Sequence, residues 1–421
     1  MSQVFKNVTC KFCGCLCDDI TAEVEDNTIV KLKKACPNGR GLFLDYDPTF
    51  QKPLIDGDEV KWDEAVSEAV EILKTADSPL IYGLSSTSTE AQKKAVALAD
   101  RLGAIIDSTS SVCHLPSALA FQTVGEATCT LGEVKNRADL LIFWGCNPAV
   151  SHMRHFTRYS TRAKGMLTPN GRKDRTVVVV DVRPTETSRS SDYFLQIEPG
   201  TDYEALTSLR AILQGKKPES DSCGITLTQL KELVQMMKTC RYGVFFFGMG
   251  LTMTSGRNYN VAELFTLISE LNDFTRFSVM PMRGHGNVAG ADQVLTWLSG
   301  YPGAVSFSRG FPQYGPGEFT SVDVLARGEA DAAFIIASDP LAHLPHGAAK
   351  HLKRIPTILM TPMGNCSSEA AKVILPTACY GVDAPGTSYR MDNVALRLQA
   401  VLPCTKPTDE EILTKILKAV T

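Results

Sequence analysis

Seven short apolar runs recur along the chain, and each ends in Gly, Pro, Ser, Asp or Asn. They are SPLIYGLSS, ADLLIFWGCNP, RTVVVVDVRPT, YGVFFFGMGLT, FSVMPMRGHG, DAAFIIASDP and IPTILMTPMG. Continuous rather than alternating apolar residues suit strands buried on both faces, as in parallel sheets. Helical stretches fall between them. Thr87 and Glu90 read as a capping box that opens a helix running to about Leu102, where Gly103 stops it. Asp63 reads as the cap of DEAVSEAVEILKTA, and Tyr203–Gln214 and Leu227–Lys238 as amphipathic helices. The sum is an α/β chain with at least two doubly wound sheets and no evident repeat. Ligands of such sheets bind beyond the carboxyl ends of the strands, where strand order reverses. Neither G-x-G-x-x-G nor a Walker phosphate loop is present, so a nucleotide-like ligand must be held in another way.

The first 50 or so residues differ from the rest. They are Cys-rich, with strands expected at Ile20–Val24 and Thr28–Leu32 around an Asp26-Asn27 turn. Thr168–Asp174 and Gly215–Ser222 read as exposed loops. At 421 residues the length suggests about three domains. A net charge of −3 argues against a nucleic-acid binder. No run of about 18 apolar residues offers a membrane span. The amino terminus has neither an apolar core nor twin arginines, so a reducing, cytoplasmic compartment is expected.

In that compartment clustered cysteines are metal ligands or redox groups more often than disulfides. Of 13 cysteines, five fall within the first 36 residues. Cys10-x2-Cys13-x3-Cys17, with Cys36 following, suits an iron–sulfur cluster held by four thiolates. Structural zinc takes the same four ligands and stays open as the rival. Cys15 reads as a packed thiol pointing away. A second centre is suggested by DSTSSVCHLP, where Cys113 and His114 adjoin, and by MPMRGHGNVAG, where Arg283 sits in a Gly-rich strand-end loop. A soft thiolate beside an imidazole suits a metal with a proton carrier, and a guanidinium suits a small carboxylate. A packed thiol and a surface arginine are the plain alternatives.

The spacing of Cys10, Cys13, Cys17 and Cys36 resembles the amino-terminal cluster domain of the molybdopterin-dependent oxidoreductases. WGCNP, DVRPTET, PGTD, ASDP and PGTSYRMDN resemble that family's pterin-dinucleotide contacts, in the family's order over nearly the whole chain. Within the family, VTCKFCGCLCDDI, DSTSSVCHLPS, GEVKNRADLLIFWGCNP, PMRGHGNV and WLSGYP resemble the B-subunit family of formylmethanofuran dehydrogenases. The resemblance implies a small Cys-rich iron–sulfur domain over residues 1–52, followed by two doubly wound α/β domains. The first would use residues 53–118 and 286–380, the second would be an insertion over 119–285, and residues 381–421 would pack back on the core. The family's carboxy-terminal β-barrel cap would be missing and supplied by a separate small subunit.

The implied cofactors are a [4Fe–4S] cluster on Cys10, Cys13, Cys17 and Cys36, and a tungsten or molybdenum ion on Cys113 with two pyranopterin guanine dinucleotides. His114 and Arg283 match the neighbouring catalytic pair. Gly145, Cys146, Asn147, Asp181, Arg183, Thr185, Gly200, Asp202, Gly248, Ser338 and Asp339 match dinucleotide-binding positions. The implied reaction is reversible reduction of carbon dioxide to formate. The implied partners are an amidohydrolase-type subunit that condenses formate with methanofuran, ferredoxin-like electron donors, the cap subunit, and a further structural subunit. Two alternatives stand beside it: another pterin-dependent formate dehydrogenase, and a redox-inactive scaffold subunit of a formyltransferase/hydrolase complex. One departure is clear. Many family members place Lys two residues after the fourth cluster cysteine, and Asn38 stands there in this chain.

Overall fold

The computed structural model describes residues 2–47, 52–218 and 223–421. Residues 48–51, at the end of the expected iron–sulfur domain, and residues 219–222, at the end of the expected Gly215–Ser222 loop, lie outside the described residues. The chain divides into two compact units, Met1–Val112 with His285–Thr421, and Cys113–Gly284.

In the first unit the Cys-rich segment forms an antiparallel sheet of Ser2–Val8, Ile20–Glu25 and Thr28–Lys33. Asp26 and Asn27 both take positive φ, which tolerant Asp and Asn allow in a tight hairpin turn. The main sheet of this unit has nine strands. Its parallel centre runs in the order Ile105–Ser108, Pro79–Gly83, Ala332–Ile336, Thr357–Thr361, Val373–Pro376. Short antiparallel strands close both edges. Pro79–Gly83, Ala332–Ile336 and Thr357–Thr361 are buried along their whole length, which is why their sequences are unbroken apolar runs. The hairpin Gly386–Tyr389/Ala395–Leu398 and the helix Asp409–Val420 complete the unit. That helix packs on the helices Trp62–Thr75 and Thr89–Leu102.

The second unit is built on five parallel strands in the order Tyr193–Gln196, Thr176–Asp181, Leu140–Trp144, Tyr242–Phe247, Arg276–Pro281. Chain order reverses between Leu140–Trp144 and Tyr242–Phe247, and in the nine-stranded sheet between Pro79–Gly83 and Ala332–Ile336. The helices Asp202–Leu213 and Asn258–Leu271 are tied by Arg210, which reaches Glu263 at 2.7 Å and Glu270 at 2.5 Å. None of the sheets closes into a barrel among the described residues. No helix there is long and apolar enough to cross a membrane.

Two helix starts differ from expectation. The helix Thr89–Leu102 is capped by Ser88, which accepts from the Ala91 N–H at 3.2 Å. Thr87 instead donates to Asp409, and Glu90 accepts from the Thr387 N–H, so tertiary partners take both residues of the expected capping box. The helix Trp62–Thr75 begins at Lys61, with Asp63 inside its first turn. The expected stop at Gly103 holds, with φ of 68°.

The two sheets also share a device that the sequence did not reveal as a repeat. Beyond Leu140–Trp144, Asn147 Oδ1 accepts from the N–H and hydroxyl of Thr187, whose Oγ1 accepts from the Ala149 N–H. Beyond Ala332–Ile336, Asp339 Oδ1 accepts from the N–H and hydroxyl of Ser367, whose Oγ accepts from the Leu341 N–H. Thr185 with Ser188, and Asn365 with Ser368, then close the next turn in the same way. No single residue type recurs at all of these positions, so the sequence reads as unrelated loops.

Candidate active site

The four cysteines of the amino-terminal segment gather around one loop. The Cys10 N–H donates to Cys17 O at 2.9 Å and the Leu16 N–H to Cys13 O at 3.0 Å. A Cβ placed on Gly39 would lie 3.2 Å from Cys10 Sγ and 3.7 Å from Cys36 Sγ, so glycine leaves the space beside both sulfurs open. Cys36 caps the helix Pro37–Leu44, and its sulfur accepts from the Gly39 N–H at 3.4 Å. Burial pushes the Cys10 thiol up, and Cys13, Cys17 and Cys36 add to the rise. Cys10 and Cys17 are buried and Cys13 and Cys36 partly so, a set of soft sulfur donors of the kind that holds an iron–sulfur cluster. Among the described residues, no three His, Cys, Asp or Glu side chains gather closely enough to hold one ion. Cys15 is buried as expected, but it does not turn away: its thiol donates to the Cys13 sulfur, which lowers the pKa of Cys13. Gly286 packs against this loop, where a Cβ would meet the Lys11 carbonyl oxygen at 1.9 Å.

In the second unit, Cys113, His114 and Arg283 lie at the carboxyl edge of the five-stranded sheet, and three hydrogen bonds tie their backbones together. Thr252, just past Tyr242–Phe247, donates its hydroxyl to the Cys113 carbonyl at 2.7 Å. His114 Nε2–H donates to the Met282 carbonyl at 3.3 Å, and His152 Nε2–H to the Arg283 carbonyl at 2.8 Å. Nδ1 then accepts from Ser117 in His114 and from Ser151 in His152, which fixes both tautomers. The Met282 N–H donates to the Phe247 carbonyl, so Arg283 is presented directly beside the reversal point. His114 is fully buried and packs edge-on to Phe247. Burial, then the nearby Arg283 charge, lowers its pKa to about 3, so the ring is neutral.

The strand-end glycines serve the protein backbone. At Gly145, with φ of 56°, a Cβ would lie 2.7 Å from the Gly250 carbonyl carbon. At Gly248 it would lie 2.6 Å from Cys146 Cβ. The two loops interlock, and the Gly250 N–H donates to Gly145 O at 2.9 Å. Gly200 forms the turn before the helix Asp202–Leu213. Asp202 was expected to face a nucleotide. It is buried, accepts from Trp144 Nε1–H at 2.7 Å and from Thr254 at 3.3 Å, and so braces the end of the sheet. Asn147 and Asp339 are engaged in the paired loop clamps. Thr185 closes a turn, and the Ser338 carbonyl accepts from Asn365. Asp181 ends its strand half-buried, with burial raising its pKa; burial, and then the nearby Asp181, pushes up the Cys146 thiol. Arg183 is exposed on the same loop.

Sequence reasoning missed three residues of this site. His152 holds the Arg283 carbonyl across 131 residues of chain. Thr252 and Glu126 carried no local signal. The soft Cys113, the cationic Arg283 and the thiol cluster in one chain fit a metal–sulfur redox centre with its electron relay.

A model of the molybdopterin oxidoreductases matches residues 51–400. The chain is 45% identical to the B-subunit of a tungsten-containing formylmethanofuran dehydrogenase of Methanocaldococcus jannaschii, covering 100% of this chain and 99% of that protein. It is 41% identical to the protein of the same description in Methanococcus maripaludis, covering 99% of each. A chain of the formyltransferase/hydrolase complex of Methylorubrum extorquens, solved with methylofuran, shares the fold with a TM-score of 0.71 and 24% identity, over 87% of this chain and 98% of that one.

Proposed function

Since this chain belongs to the molybdopterin oxidoreductase family, we propose that it is the redox subunit of a formylmethanofuran dehydrogenase and interconverts carbon dioxide and formate. The observation that carries this reading is the backbone-locked group of Cys113, His114 and Arg283 at the carboxyl edge of the five-stranded sheet. Full-length likeness to two tungsten-containing relatives supports it. When bound, a tungsten or molybdenum ion with two pyranopterin guanine dinucleotides supplies two-electron chemistry at carbon, and a [4Fe–4S] cluster supplies electrons singly.

Cys113 would hold the ion, and Cys10, Cys13, Cys17 and Cys36 the cluster. A cluster is favoured over one zinc ion because, among the described residues, no three His, Cys, Asp or Glu side chains gather closely enough to hold a single ion. The matched strand-end loops, around Asn147 and Asp339, offer each dinucleotide an equivalent shelf. Arg283 grips the carboxylate oxygens of formate and stabilises charge as it develops on them. His114, with both ring nitrogens engaged and the ring neutral, sets the backbone that presents Arg283; it positions rather than relays. The proposed product leaves for an amidohydrolase-type subunit that joins it to methanofuran. Ferredoxin-like donors, a small cap subunit, and a further structural subunit complete the proposed complex. The multi-subunit complex of the Methylorubrum relative supports an assembly of this kind.

The test is Arg283→Lys in the complex purified without oxygen. The charge stays and the two-pronged grip goes, so formate oxidation is expected to fall about 100-fold at unchanged metal and pterin content. Near-normal turnover in a fully loaded Arg283→Lys complex would reject the role.

A further inference from the structure

We propose that Glu126 carries the reaction's proton between solvent and the surroundings of Arg283; the inference rests on the carbon dioxide–formate reading above. The helix Leu115–Val124 starts at His114 and ends at Gly125, whose φ of 78° turns the chain. Ten residues of helix span about 15 Å. Glu126 follows, and the carbonyl of the next residue, Ala127, accepts from the Val279 N–H at 2.9 Å. That bond lays the segment along the strand Arg276–Pro281, which delivers Arg283.

The residue is partly exposed, yet its Oε1 is sealed from solvent and has no hydrogen-bond partner. The Arg283 guanidinium is the charge that faces it, and His114, at the other end of the helix, feels the same guanidinium. An unmet buried carboxyl oxygen costs stability, and folding does not account for it here. The other buried acids of this unit have structural partners: Asp202 holds Trp144 and Thr254, and Glu263 holds Arg210. Burial raises the Glu126 carboxyl to about 7, against a smaller downward pull from Arg283. Both its acid and its base are then populated at neutral pH, as a proton carrier requires.

The balance is simple. Carbon dioxide, two electrons and one proton give formate. The electrons come through the redox centre of the proposed activity. The proton leaves the Glu126 O–H and ends in the new C–H bond, and solvent then reprotonates the carboxylate. In formate oxidation the carboxylate takes up the proton released as the C–H bond breaks. Glu126 does not touch carbon; it exchanges the proton with solvent. Carbon dioxide reduction needs its acid form and falls as pH rises through about 7, whereas formate oxidation needs its base form and falls as pH drops through the same value.

The experiment compares the wild-type complex with Glu126→Gln and Glu126→Asp. Metal and pterin are quantified first, then the pH profile of formate oxidation and pH-difference infrared spectra are recorded. Expected are a loaded E126Q complex with turnover lowered at least about tenfold, a nearly unchanged KM for formate and no limb near pH 7. E126D should keep a displaced limb. The wild type should show a protonated-carboxyl band that fades through about pH 7 and is missing from E126Q. A loaded E126Q complex with wild-type turnover and pH profile overturns the proposal. So does a wild-type spectrum without that band, which decides the matter even where neither variant loads its centre. A loaded wild-type complex that cannot oxidise formate contradicts the functional reading instead.

Discussion

At Gly286 a methyl group would lie 1.9 Å from the Lys11 carbonyl oxygen, inside the loop that carries Cys10 and Cys13. Backbone cannot yield as a flexible side chain does, so Gly286→Ala must displace one of two loops. Overpacking of this kind costs about 1–3 kcal/mol. Gly286→Ala is expected to lower the melting temperature of the complex and its iron content together; a variant with wild-type melting and full iron would contradict the close packing. Single residues were legible in the sequence where their chemistry is rare. Four cysteines at cluster spacing, a Cys-His pair and an Arg between glycines stand out by type alone. His152 and Glu126 did not, and Asp202 was singled out for a nucleotide rather than as a brace, because their partners are distant in the chain. His152 meets Arg283 131 residues away, and Asp202 meets Trp144 58 residues away. Nothing local distinguishes a histidine that holds a carbonyl from one that fills a core.

Strands declare themselves when both faces are buried. All seven apolar runs form parallel strands, in the two sheets described. Tyr193–Gln196 was not legible, because it lies at a sheet edge with only Leu195 buried. Ile105–Ser108 is fully buried but ends in Asp107 and Ser108, whose polar side chains broke the apolar signal. Helix starts were misread by a residue or two, where Thr87 and Glu90 found tertiary partners instead of capping each other. At this scale the paired clamps give a test. Thr187→Val removes the hydroxyl that bridges Asn147 and Ala149, and Ser367→Ala removes the one that bridges Asp339 and Leu341. Each substitution is expected to cost about 1–2 kcal/mol in thermal melts and to lower pterin-nucleotide retention. Retention unchanged in both variants would mean that the clamps shape the loops without serving a ligand.

Across the whole molecule, the two units each build a sheet whose parallel strands reverse in order once, and each ends the strand at that point in the same clamped loop. The cluster loop belongs to the first unit and the Cys113–Arg283 group to the second. The α/β class followed from the apolar runs alone. The likeness of the two strand-end loops did not, since Asn147 and Asp339, or Thr187 and Ser367, share hydrogen-bonding ability rather than identity. In the proposed function these loops and thiols hold a pterin-bound metal and an iron–sulfur cluster. The direct measurement is quantification of iron, zinc, tungsten, molybdenum and released pterin nucleotide in the native complex, purified without oxygen. Expected per chain are about four irons beyond those of partner subunits, about one tungsten or molybdenum and about two guanine-type pterins. Iron or zinc with no pterin and no tungsten or molybdenum, in a fully assembled native preparation, would contradict that function and leave a scaffold subunit.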